Sequence, residues 1–235
     1  VADYQEQVKK SYNLIIRGVD HVIELKNISK EGIVEGISIS IKDHEKVVFL
    51  GKNGTGKTTL LYIISGFYLP DYGEICFDGR QYNYPIDFFK YLLFEKQLRD
   101  TVSFFESPNI FYEKFTIQQN LRYYTSLDRY DLKKVWELYD YFEIKESINK
   151  VFETLSTGTK QKILLSLALA SKKEYILLDE PTIGLDQETK SKVYGLISNM
   201  DQAILISTHD IEYETLFNRS IRFDANHICE MKSLI

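Results

Sequence analysis

Short apolar runs alternate with longer stretches of helical spacing along the chain, and this alternation predicts a layered α/β fold. Strands are expected over 22–27 and 36–42, the second from the strict alternation of Ile37-Ser38-Ile39-Ser40-Ile41. Further strands are expected over 46–50, 73–78, 102–105, 175–178, 203–207, 219–223 and 226–231, with Asp78-Gly79 as the turn signal closing the fourth of the nine. Helical spacing covers 57–67, most of 116–172 and 187–200, and another helix is expected from Asp210. Thr116, Asp131 and Ser156 suit helix starts, because their side-chain oxygens accept from N–H groups that have no partner in the first turn. The block 116–160 carries helices without strands. It reads as a helical lobe, about 107–160, inserted into a sheet domain of 21–235. The aromatics Tyr82, Tyr84, Phe88, Phe89 and Tyr91 are read as local core, with a contact surface as the alternative. Residues 1–20 are polar and weakly patterned, an extension with no role assigned.

Chemistry enters at residues 51–59, Gly-Lys-Asn-Gly-Thr-Gly-Lys-Thr-Thr, which fit the phosphate-loop pattern G-x-x-x-x-G-K-[ST] from Gly51 to Thr58. The apolar strand Val47–Leu50 precedes it and the helical run Leu60–Ile64 follows it, the context this motif needs. Gly51, Gly54 and Gly56 let the backbone curl so that successive N–H groups face one anion. The positive end of the following helix adds to that field. Lys57 would bridge the outer phosphates as a point charge, and Thr58 would offer its hydroxyl to Mg²⁺. A nucleoside triphosphate is the expected ligand, and alternation around such a loop implies a mainly parallel sheet.

Two later segments add to this. Tyr175-Ile176-Leu177-Leu178-Asp179-Glu180 is an apolar strand ending in two carboxylates, and ligands of open α/β sheets lie at the carboxyl ends of strands. One acid there can hold Mg²⁺ while its neighbour takes a proton from an attacking water. Leu155-Ser156-Thr157-Gly158-Thr159-Lys160-Gln161 opens a long apolar helix, and Ser156 and Gly158 suit a helix N-terminus that receives an anion.

The totals narrow the setting. The 235 residues suffice for one α/β domain with a small lobe, and a net charge of −5 speaks against a nucleic-acid partner. No apolar run approaches a membrane span, and no secretory signal is read at the start. Cys76 and Cys229 lack metal-ligand spacing and read as isolated reduced thiols, which fits a reducing cytosol.

With these segments in order, the chain resembles the nucleotide-binding subunit of ATP-binding cassette (ABC) transporters. The phosphate loop at 51–59, the signature at 155–161, the Walker B strand at 175–180, the D-loop Pro181-Thr182-Ile183-Gly184-Leu185-Asp186 and the switch loop Ser207-Thr208-His209-Asp210 follow the family order. The likeness spans nearly everything from 22 to 231, and its style is most similar to small ATPase subunits that serve separate permeases, often exporters of peptides or drugs. The resemblance implies a P-loop NTPase of α/β class with a mainly parallel core sheet, an antiparallel β-subdomain and an inserted helical lobe. It implies ATP and Mg²⁺ as ligands and two cassettes closing head to tail. Gly51, Asn53, Gly54, Thr55, Gly56, Lys57, Thr58 and Thr59 would wrap the phosphates of one ATP, and Ser156 and Gly158 of the opposite subunit would reach its γ-phosphate. Asp179 would organise Mg²⁺, Glu180 would be the general base, His209 would contact the γ-phosphate, and Asp186 would link the two sites.

The chain departs from the family pattern in several places. Thr157 and Thr159 stand where the signature has a glycine and a Gln or Met. The family's Mg²⁺-ligating glutamine falls on Glu106 or Ser107, and Glu106 could still offer an oxygen to the metal. The stretch Ser29–Val34 lacks the aromatic that stacks on adenine; Ile33 is the candidate to pack on the base, and GTP stays open beside ATP. The implied partners are a second cassette subunit and an integral-membrane permease docking near Pro108-Asn109-Ile110-Phe111-Tyr112, with structural filler as the other reading of that strip. The implied location is the cytoplasmic face of the cell membrane. A soluble cassette ATPase acting on ribosomes or DNA is the competing function, and a nucleotide-binding clamp that barely hydrolyses is a third.

Overall fold

The computed structural model describes residues 22–106, 111–126, 129–224 and 227–233. The expectations for 1–20, Ser107 and Pro108–Ile110 lie outside them. Four strands, β1 (Val22–Lys30), β2 (Val34–Lys42), β4 (Tyr72–Phe77) and β5 (Arg80–Tyr84), form an antiparallel sheet in the order β2-β1-β4-β5. Six more, β3 (Lys46–Gly51), β6 (Val102–Glu106), β7 (Tyr175–Asp179), β8 (Ala203–Thr208), β9 (Arg219–Asp224) and β10 (His227–Ser233), form the core sheet in the order β10-β9-β3-β8-β7-β6. Every pairing in the core sheet is parallel except β10 on β9. The expected α/β class, with a mainly parallel core and an antiparallel sheet beside it, is the architecture observed.

Successive residues of a strand face opposite ways, so each core strand divides its apolar residues between two cores. Val48, Leu50, Ile176, Leu178, Ile204 and Ile206 enter one core. Val47, Phe49, Tyr175, Leu177, Ala203 and Leu205 enter the other. Helix α1 (Lys57–Ile64) and the antiparallel sheet cover the second core. Helices α3 (Ile117–Thr125), α4 (Leu132–Tyr141), α5 (Thr157–Leu169) and α6 (Gln187–Ser198) close the first. Each fully buried Leu or Ile contributes about 1.5–3 kcal/mol, so these two faces dominate stability.

All three expected helix starts are caps. Thr116 forms a capping box with Gln119, Asp131 accepts from Lys133 and Lys134 N–H, and Ser156 accepts from Thr159 N–H. Other boundaries differ. The first helix stops at Ile64 rather than 67, because Gly66 turns left-handed (φ +80°) with Leu98 packed where a side chain would stand. The helix expected from Asp210 is a 3₁₀ stretch, Ile211–Leu216, whose N-terminus lacks a side-chain cap because the Asp210 carboxylate is turned inward. The aromatic-rich stretch divides into β5 and a helix, α2 (Phe88–Thr101), capped by Asp87. Tyr82 and Tyr84 are core as expected, but Phe88 and Phe89 are 64% and 75% exposed, because α2 turns only the stripe of Phe94 and Leu98 inward.

Asn120 is fully buried and ties the entry of the helical lobe to α3. Its Oδ1 accepts from Tyr112 N–H (2.7 Å), and its Nδ2 donates to Tyr112 O (3.0 Å) and Thr116 O (3.1 Å). Asn120→Ala leaves the Tyr112 N–H without a partner, while Tyr112 O and Thr116 O keep the N–H groups of Phe115 and residue 120, and we expect a loss of about 1–3 kcal/mol, read as a lower urea midpoint. An unchanged midpoint would show that this tie is not needed.

Candidate functional site

Strand β3, interior to the core sheet, delivers Gly51 to the carboxyl end of the strands, and the chain curls before α1 begins at Lys57. Gly51, Gly54 and Gly56 all have φ between +81° and +154°. Gly56 is sterically closed as well as left-handed, because an added Cβ would lie 2.5 Å from Val34 Cγ1. That contact presses the β1–β2 turn onto the loop. Asp71 holds the turn from the other side, accepting from Lys30 Nζ (2.7 Å) and Glu31 N–H (2.8 Å).

Lys57 is 5% exposed, and its ammonium donates to Gly51 O (2.7 Å) and Lys52 O (3.0 Å), within the loop's own curl. Burial pulls its pKa below the ordinary lysine value, while the Glu180 and Asp179 carboxylates act in the opposite direction. Thr58 Oγ1 lies 3.0 Å from both oxygens of Asp179, whose Oδ1 also accepts from Ser207 Oγ. Glu180 has a left-handed backbone (φ +45°), a conformation a non-glycine residue holds only when neighbours enforce it. Its N–H donates to Ser207 O (3.0 Å), and both carboxylate oxygens lie 3.1 Å from His209 Nδ1. With Glu180 ionised, this bond places the imidazole proton on Nδ1.

A cavity of about 240 Å³ is lined by Ile33, Asn53, Gly54, Gly56, Lys57, Thr58, Thr59 and Glu180. A wider open cavity of about 860 Å³ shares Ile33 and continues past Val34 to Tyr72 and Pro85. The turn itself offers no aromatic, and Ile33 is 36% exposed. Glu106 ends β6 in register with Asp179. Among the described residues no three His, Cys, Asp or Glu side chains cluster as a metal cage. Mg²⁺ does not require one: it keeps several waters and takes one or two protein oxygens plus substrate phosphates. The paired Thr58 hydroxyl and Asp179 carboxylate fit that requirement.

Ser156 and Gly158 stand apart from this cavity, at the exposed N-terminus of α5. The two threonines of the signature have structural work. Thr159 places its hydroxyl 2.8 Å from Ser156 Oγ, in the third helical position where a capping box carries Glu or Gln. Thr157 Cγ2 stands where a Cβ at Gly184 would meet it at 3.3 Å. Gln161 Nε2 donates to Pro181 O (2.8 Å) from a buried position. Asp186 caps α6 by accepting from Thr189 N–H and Oγ1, bonds that hold its carboxyl below the usual range. In the expected docking strip, Phe111 is buried and stacks on Tyr124, so it is filler, while Tyr112 is half exposed beside Phe115 and Tyr123. Ser207, Gln161, Thr182 and Lys190 were not singled out from the sequence. The first three sit inside recognised motifs, whereas no local pattern marks Lys190.

The family model described as ABC transporter matches residues 34–183. The chain belongs to the ABC transporter family. It is an ATP-binding subunit of that family and an ATPase. ABC transporter ATP-binding protein YtrB of Bacillus subtilis is 31% identical over 223 residues, covering 91% of this chain and 72% of that one. A putative ABC transporter ATP-binding protein of Methanocaldococcus jannaschii, MJ1572, is 30% identical, covering 85% and 73%. The dimeric structure of MJ0796, a bacterial ABC transporter cassette, superposes with a TM-score of 0.76 at 25% identity, covering 91% of this chain and 99% of that one. Among the described residues no helix is long and apolar enough to cross a membrane.

Gly56→Ala is expected to cost about 1–3 kcal/mol, because the left-handed backbone and the Val34 contact both oppose a Cβ. Thermal melting without nucleotide measures it, and an unshifted melting temperature would contradict the crowding described here.

Proposed function

We propose that this cassette binds ATP at the 51–59 loop, hydrolyses it with Glu180 as general base, and drives a separate membrane permease. One observation carries the reading: a single cavity is lined both by Asn53, Gly54, Gly56, Lys57, Thr58 and Thr59 and by Glu180. An anion held by the loop therefore sits where a carboxylate can reach its outer end. Lys57 would exchange the carbonyls of Gly51 and Lys52 for phosphate oxygens. Glu180 would take a proton from water as the water oxygen attacks the γ-phosphorus, and the β–γ bridging oxygen would leave with ADP. His209, already aimed at Glu180, would contact the γ-phosphate. Thr58 and Asp179 would hold Mg²⁺, with Glu106 at the neighbouring strand end as a third donor. When bound, that ion supplies fixed positive charge against the phosphate oxygens. Ile33 and the open cavity beyond it would receive the nucleoside.

The exposed Ser156 and half-buried Gly158 support a second subunit, whose ATP they would cover; the structure of MJ0796 is likewise dimeric. Asp186 would then bridge the two sites. The permease would dock beside the exposed Tyr112, and the assembly would stand at the cytoplasmic face of the membrane. We assign the system to exporters of peptide or drug-like cargo, on the style of the signature alone, and take the cassette domain as 21–235 with its lobe at about 107–160.

Glu180→Gln is expected to bind ATP, lose turnover and elute as a dimer in ATP; turnover at the unaltered rate would remove Glu180 as base. Lys57→Ala is expected to abolish ATP binding by titration calorimetry, and undiminished affinity would defeat the phosphate-loop assignment. Competition of GTP against ATP in the same titration reads base selection. Co-purification from membranes is expected to bring down a polytopic protein; recovery of ribosomes would favour the soluble alternative.

A further inference from the structure

Behind the facing side chains of Glu180 and His209 lies a polar cluster that the proposed chemistry does not use. Asp210 follows His209 directly, yet its side chain is only 10% exposed. Lys190 Nζ donates to its two oxygens at 3.0 and 2.9 Å, and Thr182 Oγ1 donates to Oδ2 at 3.0 Å. Tyr194 OH lies 3.0 Å from Thr182 Oγ1, 3.1 Å from Thr208 Oγ1 and 3.4 Å from Asp210 Oδ2. The Asp210 N–H donates to Thr208 Oγ1 at 3.1 Å. Thr182, Tyr194 and Thr208 are all at most 1% exposed. Burial works against the Asp210 charge, but the Lys190 ammonium and the Thr182 hydroxyl outweigh it and hold the carboxyl below its ordinary value.

The cluster joins three elements at one point. Thr182 comes from the loop that carries Glu180, two residues upstream. Lys190 and Tyr194 come from α6. Thr208 and Asp210 flank His209 at the end of β8. Glu180 and His209 touch at 3.1 Å, and His209 is otherwise 57% exposed, with Asp210 Oδ1 3.9 Å from its Nε2. The cluster thus ties together the backbone segments that carry Glu180 and His209. We propose that Asp210, locked by Lys190 and Thr182, is the positioning residue that sets where Glu180 and His209 stand relative to each other. The inference rests on Glu180 and His209 being the reacting groups. It assigns a role to the Lys190–Asp210 pair beyond its ion-pair contribution to stability.

The test compares ATP turnover, ATP affinity and thermal melting for Asp210→Asn, Lys190→Met and Lys190→Arg. Asp210→Asn and Lys190→Met are expected to lower kcat about tenfold to 100-fold, the scale of an ångström's misplacement of a catalytic group. ATP affinity is expected to stay at the level of the unaltered chain, because the 51–59 loop is untouched. Lys190→Arg retains a cation for Asp210 and is expected to recover most of the turnover. A folded Asp210→Asn variant with unaltered kcat overturns the proposal. So does a fall in ATP affinity parallel to the fall in kcat, which marks a purely structural pair. If Asp210→Asn fails to fold, the two Lys190 variants decide: Arg no better than Met overturns the proposal. Lost turnover with retained binding also separates this result from a failure of the phosphate-loop assignment, in which affinity itself would collapse.

Discussion

Parallel pairing of β3 with β8, and of β8 with β7, is the constraint from which the site follows. In that register Leu50 stands beside Thr208 and Asp179 beside Ser207, so the chain leaves three adjacent strands at one level. The phosphate loop, the acidic pair and the switch histidine emerge there together. A one-residue slip in any strand would send its apolar residues to the opposite core, so the two packed cores enforce the register. The same burial that stabilises the domain thereby brings Thr58, Asp179, Glu180 and His209 within hydrogen-bond reach.

The charged groups of the site, at the carboxyl end of the core sheet, are bonded within the chain. Lys57 is bound to carbonyls of its own loop, Asp179 to Thr58 and Ser207, and Glu180 to His209. These bonds fix the curl of the loop from within. In the proposed function they would be exchanged for phosphate contacts, and the net gain would be the difference between the two sets.

Much of this was legible in the sequence, for a physical reason. Alternation in 37–41 and the apolar run at 175–178 record which faces are buried, and the glycines of the 51–59 loop record left-handed backbone. Thr116, Asp131 and Ser156 were readable as caps because capping is local chemistry. What was not legible depends on distant packing. The first helix ends where Gly66 meets Leu98, more than thirty positions along the chain. Helix α2 was hidden because aromatics occur on both its faces, which blurs the helical period. The Lys190–Asp210 pair joins residues twenty positions apart with no repeating pattern between them.

The approach of α5 to the segment after Glu180 fixes what position 184 can hold. Gly184 has a left-handed backbone (φ +74°), and a Cβ there would stand 3.3 Å from Thr157 Cγ2. Backbone and neighbour both oppose a side chain, so glycine at 184 sets how near the signature helix comes to the acidic strand end.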